Sequence, residues 1–382
     1  MSTTTASSRN HGAQQAGLSS ILLWLWGSAA LVFAMAIIGA VTRLTESGLS
    51  IMEWNVFAGT FPPLSQGEWV RLFEVYKLTG EYQKQHLGAL DMAGFKQIFW
   101  WEYIHRLWGR LIGMAFLIGL IVFSVVRLRG GWSAHKWLMP HAIVGFLLIC
   151  FQGFLGWYMV SSGFDTDLVD VSAYRLAAHL GLAVVIFIYF IGLGARVRLG
   201  ETAFSFRALW NLPSLLVVLI FLTLLSGAFV AGLNAGLVYN EFPTMGGALV
   251  PADYQTAALP WYRNPFENPT AAQLHHRLFA SLAAVVVIVA AIAIIRANTS
   301  TSPAVRRWAW AALIVVIAQY VLGVVTLLYA VPIPLGAAHQ GGALTLLATL
   351  TLLRAHKNET LTAPVQRPAA MTVAQSRITS QI

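Results

Sequence analysis

Residues 95–126, FKQIFWWEYIHRLWGRLIGMAFLIGLIVFSVV, decide how this 382-residue chain is read. From Leu111 onward the run is apolar enough for a membrane-spanning helix, but its mouth, Trp101 to Arg110, holds a carboxylate, a histidine and two arginines. Ionisable groups are expensive in hydrocarbon, and where they occur they face a bundle interior or a bound group. Glu102 and His105, three apart, share one helical face. Gly109 and Gly113 continue that face and leave room for a flat group to approach the backbone.

The same apolar character recurs along the chain. Hydrophobic residues make up 57% of it and charged residues 10%, against about a quarter charged in soluble domains, so a soluble globular protein is excluded. Runs of roughly 20 apolar residues, the length that spans a bilayer, fall at about 21–41, 98–126, 137–160, 173–195, 210–232, 271–295, 308–330 and 336–354. Charge placement orients these eight spans. Arg127, Arg129 and Lys136, then Arg196, Arg198 and Arg207, then Arg296, Arg306 and Arg307 lie in the links that follow even-numbered spans. Arg9 precedes the first span, and Arg354, Lys357, Arg367 and Arg377 close the last. By the positive-inside rule both termini are cytoplasmic. The first outer link also carries basic residues, but it is long and balanced by Glu46, Glu53, Glu68, Glu74, Glu81 and Asp91. The net charge of +9 thus expresses topology rather than nucleic-acid binding.

The opening MSTTTASSRNHGAQQAG has one arginine, too few for a mitochondrial presequence, and the next apolar run is too long for a signal-peptide core. A multi-pass protein of a bacterial inner membrane is the simplest expectation. The single cysteine, Cys150, lies within the third span. It reads as a small packing residue, with no disulfide or thiolate metal site.

Only the links at about 42–97 and 233–270 are long on the outer side, which suggests a four-helix unit used twice. GAVTRLTESGLS (39–50) matches GAFVAGLNAGLV (227–238), and YIHRL (103–107) matches LHHRL (274–278). LAAHLG (176–181) matches GAAHQG (336–341), and Gln152 with Gly156 matches Gln319 with Gly323. Four matches in the same order indicate a tandem duplication. The expected architecture is an all-α membrane protein of eight transmembrane helices in two pseudo-symmetric four-helix bundles. The pseudo-twofold axis runs along the membrane normal. The divisions are an N-terminal tail 1–20, a first half 21–195, a link 196–209, a second half 210–354 and a disordered tail 355–382. In the first outer link, EVYKLTGEYQKQH reads as a short amphipathic surface helix.

Ten histidines divide by place. His11, His86, His135 and His356 sit in loops or tails, His141 reads as structural, and His275 cannot share the face of its neighbour His276. His105, His179, His276 and His339 remain, one per even-numbered span, at similar depth. Within each half, His105 can face His179 and His276 can face His339. Zinc or iron bound directly wants three or more protein ligands. Two opposed imidazoles flanked by small residues suit haem held at both axial positions. Gly109, Ala183, Ala272, Ala280, Gly336 and Gly342 are those small residues. For the propionates the outer side offers Arg43, Arg106, Arg110, Arg175 and Arg277. Arg175, one turn outward of His179, is the favoured partner, whereas Arg106 is open to a propionate or to an i,i+4 pair with Glu102.

The halves differ at one informative position. Glu102, three before His105, corresponds to Gln273, three before His276. A buried carboxylate beside a haem face takes protons or stabilises a developing cation, and the amide keeps the shape without that chemistry. Reaction is therefore assigned to the first half and a permanently bound haem to the second.

VTRLTESGLSIMEW, FPPLSQGEW, FKQIFWWEYIHRLWGR, RLAAHL, LHHR and AAHQ together resemble the haem A synthase family, over essentially all eight spans. The resemblance implies haem b on His276 and His339, and haem o as substrate between His105 and His179. It implies oxidation of the methyl at porphyrin position 8 to formyl, giving haem a for cytochrome oxidase, with Glu102 required for activity. Partners implied are the farnesyltransferase that makes haem o, an electron-transfer partner, membrane lipid and a possible second copy of the chain. The haem sites then lie towards the periplasmic side. The chain departs from some family members in having no cysteine pair in the first outer loop, so no redox role for such a pair applies. The rival readings are a di-haem electron-transfer protein of the quinol-cytochrome type, which needs no Glu102, and a haem carrier.

Overall fold

Several helices begin where the sequence supplies a cap. The computed structural model describes residues 3–54, 58–132, 135–163, 170–200, 210–297 and 302–362. Its ten α-helices are α1 (Thr3–Leu44), α2 (Gln66–Tyr76), α3 (Met92–Leu128), α4 (Leu138–Val160), α5 (Ala173–Leu199), α6 (Leu212–Gly232), α7 (Asn264–Glu267), α8 (Pro269–Arg296), α9 (Pro303–Leu328) and α10 (Ile333–Thr362). Asp91 caps α3 by accepting from the Gly94 N–H at 2.8 Å, and Asn211 caps α6 by accepting from Ser214 at 3.0 Å. Asn268-Pro269 and Ser302-Pro303 open α8 and α9 with a side-chain cap and a proline in the first turn. Both devices satisfy or remove amides that have no helical partner. No β-strand is found among the described residues; the backbone pairing outside helices is one isolated bridge, Met245 to Ala248.

The eight expected spans correspond to α1, α3, α4, α5, α6, α8, α9 and α10. Seven of them are long and apolar enough to cross a membrane. The exception among these eight, α10, has the length, at 30 residues. Its apolar run is diluted by His339, Gln340 and the threonines of TLLATLTLL. α10 also continues past the expected end at 354 to Thr362, and α1 begins at Thr3 within the expected tail. Residues 201–209 of the expected link and 363–382 of the expected tail lie outside the described residues.

Packing follows a repeated plan. α1, α3, α4 and α5 form a ring in which each touches the next, and α6, α8, α9 and α10 form a second ring. The rings meet through α1 with α10, α5 with α6, and α5 with α10. Exchanging α1 with α6 and α5 with α10 maps this set of contacts onto itself. The close-packed core is formed by one end of the spans: Ile21 to Ala36 of α1, Ile112 to Phe123 of α3, Val184 to Val197 of α5 and Leu344 to Leu353 of α10. Phe116 and Phe190 stack there at 4.8 Å. The opposite end of the same helices opens into a cavity.

The loop between α1 and α3 folds over that opening. Its helix is α2, further upstream than the amphipathic stretch expected at 74–86, where the chain instead makes one turn of π-helix at Tyr82–His86. Ser65 caps α2, its Oγ accepting from the Glu68 N–H at 3.2 Å, and the Glu68 side chain reaches back to accept from the Leu64 N–H at 3.4 Å. Trp69, Phe73, Tyr76 and Tyr82 bury themselves against Phe95, Phe99 and Tyr103 of α3. α3 thus starts two turns outside its expected span and serves as the post on which the loop packs.

Candidate functional site

One cavity of about 1780 Å³ receives side chains from both rings, and His105, His179, His276 and His339 all line it. The helix register that brings them in is set by a repeated contact. Each imidazole lies with its Cε1 against a glycine of a neighbouring helix. A Cβ there would stand 3.1 Å from His105 at Gly39, 3.1 Å from His179 at Gly156, 3.0 Å from His276 at Gly227 and 2.7 Å from His339 at Gly323. Only a residue without a side chain lets the ring lie so close to the neighbouring backbone. His105 on α3 and His179 on α5 belong to the first ring, and His276 on α8 and His339 on α10 to the second.

Glutamines sit beside the second histidine of each pair. Gln152 Nε2 donates to the His179 carbonyl at 3.0 Å and lies 3.1 Å from its Nδ1. Gln319 Nε2 does the same to His339, at 2.9 and 3.1 Å. The first histidines differ from each other. Ser226 Oγ lies 2.9 Å from His276 Nδ1, whereas His105 Nδ1 is buried without a partner.

The donor set fits an iron porphyrin. Among the described residues no group of three or more His, Cys, Asp or Glu side chains is placed to cage a bare ion. A porphyrin supplies four nitrogens of its own and asks the protein for one or two axial imidazoles. The glycine seats hold those imidazoles at the cavity wall.

Glu102 lies in the wall of the same cavity, 3% exposed. Its Oε2 accepts from Ser50 Oγ at 2.8 Å and the Ile51 N–H at 2.7 Å. Its Oε1 accepts from Arg106 Nε at 2.9 Å and from Arg106 Nη2. Arg106 also donates to the Glu53 carbonyl at 2.9 Å and the Ile51 carbonyl at 2.6 Å. Of the two readings open for Arg106, the structure shows the pair with Glu102. In the second ring Gln273 takes the place of Glu102 and donates to the Tyr239 carbonyl at 2.9 Å. Arg277 donates to the carbonyls of Tyr239 at 2.9 Å and Thr244 at 3.0 Å. Each ring therefore has an arginine that clasps a connecting loop by its backbone, and among the described residues only the first has a carboxylate hydrogen-bonded in that clasp.

Arg175 does not reach the cavity. Its guanidinium lies over the Tyr158 ring at 3.8 Å and donates to the Tyr158 carbonyl at 2.7 Å and Ser161 Oγ at 3.2 Å, capping the end of α4. The arginines that line the cavity are Arg43, Arg106, Arg110 and Arg277. Arg43 bridges the rings: its Nη2 donates to Asn234 Oδ1 at 2.8 Å and lies 3.4 Å from Asp170. The histidines set aside have other company. His141 Nδ1 is 3.0 Å from the Tyr189 hydroxyl, and His275 Nε2 is 3.1 Å from the Tyr254 hydroxyl.

One lining residue had no signal in the sequence. Glu81, in the loop between α1 and α3, is 3% exposed and accepts from the Tyr76 hydroxyl at 3.1 Å. Burial pushes its carboxyl up to about 8, reinforced by the nearby charge of Glu102.

Residues 22–351 match the family model of the COX15-CtaA cytochrome oxidase assembly proteins. Curated relatives are similar over most of their length. A protein of Nitrosospira multiformis named heme A synthase is 45% identical over 331 residues, which cover 85% of this chain and 90% of the relative. The heme A synthase of Rhodospirillum centenum is 44% identical over 349 residues, 88% of each chain. That of Parvibaculum lavamentivorans is 42% identical over 325 residues, 85% of this chain and 90% of the relative.

Proposed function

This chain belongs to the COX15-CtaA family of cytochrome oxidase assembly proteins, beside its heme A synthases, and from that membership we propose that it oxidises a methyl of haem o to the formyl of haem a. The observation that carries the division of labour is the pair of matched histidine–glycine seats with a carboxylate beside only one of them. Haem o is the substrate of the first ring, between His105 and His179. The second ring, with His276 and His339, would hold haem b, which when bound supplies a one-electron carrier. The methyl at porphyrin position 8 becomes formyl by two successive two-electron oxidations that together take one oxygen atom from water, release four protons and pass four electrons to a membrane electron carrier.

Glu102 is the group of this chain suited to that release. Its four hydrogen bonds fix the carboxylate at the cavity wall, where it accepts a proton or stabilises positive charge developing at the porphyrin edge. Arg106 is a positioning residue, holding Glu102 and the loop at 51–53 together. Gln273 keeps the shape at the second seat and has no such capacity.

The same reading extends to topology. α10 crosses the membrane as the eighth span, both termini are cytoplasmic, and the cavity opens towards the periplasmic side of a bacterial inner membrane. The closure of α10 into the second ring supports this, as does the charge placement. The farnesyltransferase that makes haem o and a membrane electron carrier are the expected partners.

The test is chromatography of haems extracted from membranes of cells that make haem o, with and without this protein. Haem a is expected only with the protein, and its loss is expected in Glu102→Gln with haem b retained. Undiminished haem a from Glu102→Gln would remove that residue from the chemistry. Absence of haem a from a folded wild type would favour a di-haem electron-transfer protein.

A further inference from the structure

His105 and His276 occupy equivalent seats. From its glycine, each ring stands almost alike: a Cβ at Gly39 would be 3.1 Å from His105 Cε1 and 3.5 Å from Nδ1, and one at Gly227 would be 3.0 and 3.5 Å from the same atoms of His276. What surrounds the Nδ1 atoms is not alike. Ser226, one residue before Gly227, places its Oγ 2.9 Å from His276 Nδ1. The residue one before Gly39 is Ile38, and His105 Nδ1 is buried with no partner.

The Thr223 carbonyl, a partner of both Ser226 Oγ and the His276 ring, can only accept, and this sets the direction of the Ser226 bond. The hydroxyl has one proton, and it goes to the Thr223 carbonyl at 2.6 Å. Oγ therefore meets the ring with a lone pair, and Nδ1 must be the donor. A proton on Nδ1 leaves Nε2 of the neutral imidazole bare, which is the form that ligates iron. An acceptor on Nδ1 also makes the ring a stronger donor to a metal.

We propose that Ser226 is the residue that makes the second seat permanent, by holding His276 in the ligating tautomer and strengthening its bond to iron. The lack of an equivalent at Ile38 leaves His105 the weaker axial ligand, as a seat for a substrate that must leave requires. The glutamines beside His179 and His339 meet Nδ1 through the same amide nitrogen in both rings, so whichever tautomer they favour there is common to the two rings and does not create this difference. This inference rests on the assignment of haem b to His276 and His339.

The experiment uses the full chain, purified with its haem and reconstituted in lipid nanodiscs. The midpoint potential of haem b and its rate of transfer to apomyoglobin are measured. Ser226→Ala is expected to move the potential positive and to speed haem loss by about 10- to 100-fold. Ser226→Thr, which keeps the hydroxyl, restores both. Ile38→Ser, the reciprocal change, is expected to slow the loss of added haem o from the first ring by a similar factor, and it carries the test if Ser226→Ala does not fold. An unchanged potential and loss rate in Ser226→Ala overturns the inference, as does unchanged haem o loss in Ile38→Ser. His276→Ala separates the two levels. If it abolishes haem b binding while Ser226→Ala changes nothing, the seat assignment stands and the role of Ser226 falls. If His276→Ala keeps the full haem b spectrum, the seat assignment falls and takes the inference with it.

Discussion

Replacing Gly323 by alanine puts the glycine seats to their hardest trial. A Cβ at Gly323 would lie 2.7 Å from His339 Cε1, and ordinary contact begins at 3.4 Å. The ring must recede by roughly 0.7 Å, whereas metal–ligand distances hold to within about 0.2 Å. Overpacking of this kind costs about 1–3 kcal/mol, which corresponds to roughly 5- to 150-fold weaker haem binding, since about 1.4 kcal/mol is a factor of ten. On the proposed assignment of haem b to His276 and His339, displacing one of the two imidazoles should change the haem spectrum from low-spin to high-spin. Optical and electron paramagnetic resonance spectra of the purified protein, with haem counted per chain, read this directly. Gly27→Ala is the control, because nothing lies within 4 Å of its Cβ position. There, alanine in a helix should be neutral or gain about 0.5–1 kcal/mol. Gly227→Ala, at 3.0 Å from His276, should give a milder version of the same change. A Gly323→Ala protein with wild-type haem content and an unshifted low-spin spectrum would refute the seat.

Other consequences can be checked with less effort. Arg106→Met removes the partner of a buried carboxylate, and breaking such a pair costs about 3–5 kcal/mol. The thermal midpoint in detergent should fall and recover in part when Glu102→Gln is added; strictly additive losses would mean the two side chains are not coupled. Glu81 gives the fold a pH dependence whose sign follows from its raised carboxyl. The folded state keeps a proton that the unfolded chain has lost, from the ordinary carboxylate value of 4.5 up to about 8. Stability should therefore fall by about 1.4 kcal/mol per pH unit across that window. Unfolding midpoints of Glu81→Gln should lack this slope, and an equally steep slope in the variant would assign it elsewhere. Arg175→Gln should weaken the end of α4 without lowering haem content, because the guanidinium serves Tyr158 and Ser161. A matching loss of bound haem o would return Arg175 to the substrate.

Much of this was legible in the sequence because membrane-spanning helices announce themselves by length and composition, and the seven apolar spans lie close to where hydropathy puts them. The four histidines were legible because two short sequence patterns, each occurring twice, carry them: His105 with His276 and His179 with His339. What escaped depended on where long or short side chains end up. Arg175 is one turn from His179 along the helix, but a guanidinium on a long stem reaches the end of α4 instead. The glycines at 39, 156, 227 and 323 were visible as repeat markers, while their contact with the imidazoles depends on helix rotation that spacing does not give. Ser226 looks like any small residue within an apolar helix until the ring of His276 is set beside it. The Ser65 cap, with Glu68 three residues on, was a readable signal for α2 that the more amphipathic stretch downstream obscured.

The arginine clasps have a consequence for how the two connecting loops differ. Arg106 grips the carbonyls of Ile51 and Glu53, and Arg277 those of Tyr239 and Thr244. A carbonyl is offered by every amino acid, so the grip is blind to the identity of the residue gripped. Mutation can rewrite the loop side chains while the anchorage persists. The first loop forms a cluster of aromatic rings and the second a chain of prolines and short turns, on the same kind of fastening. Two rings held in this way can carry different lids with no redesign of the helices beneath them.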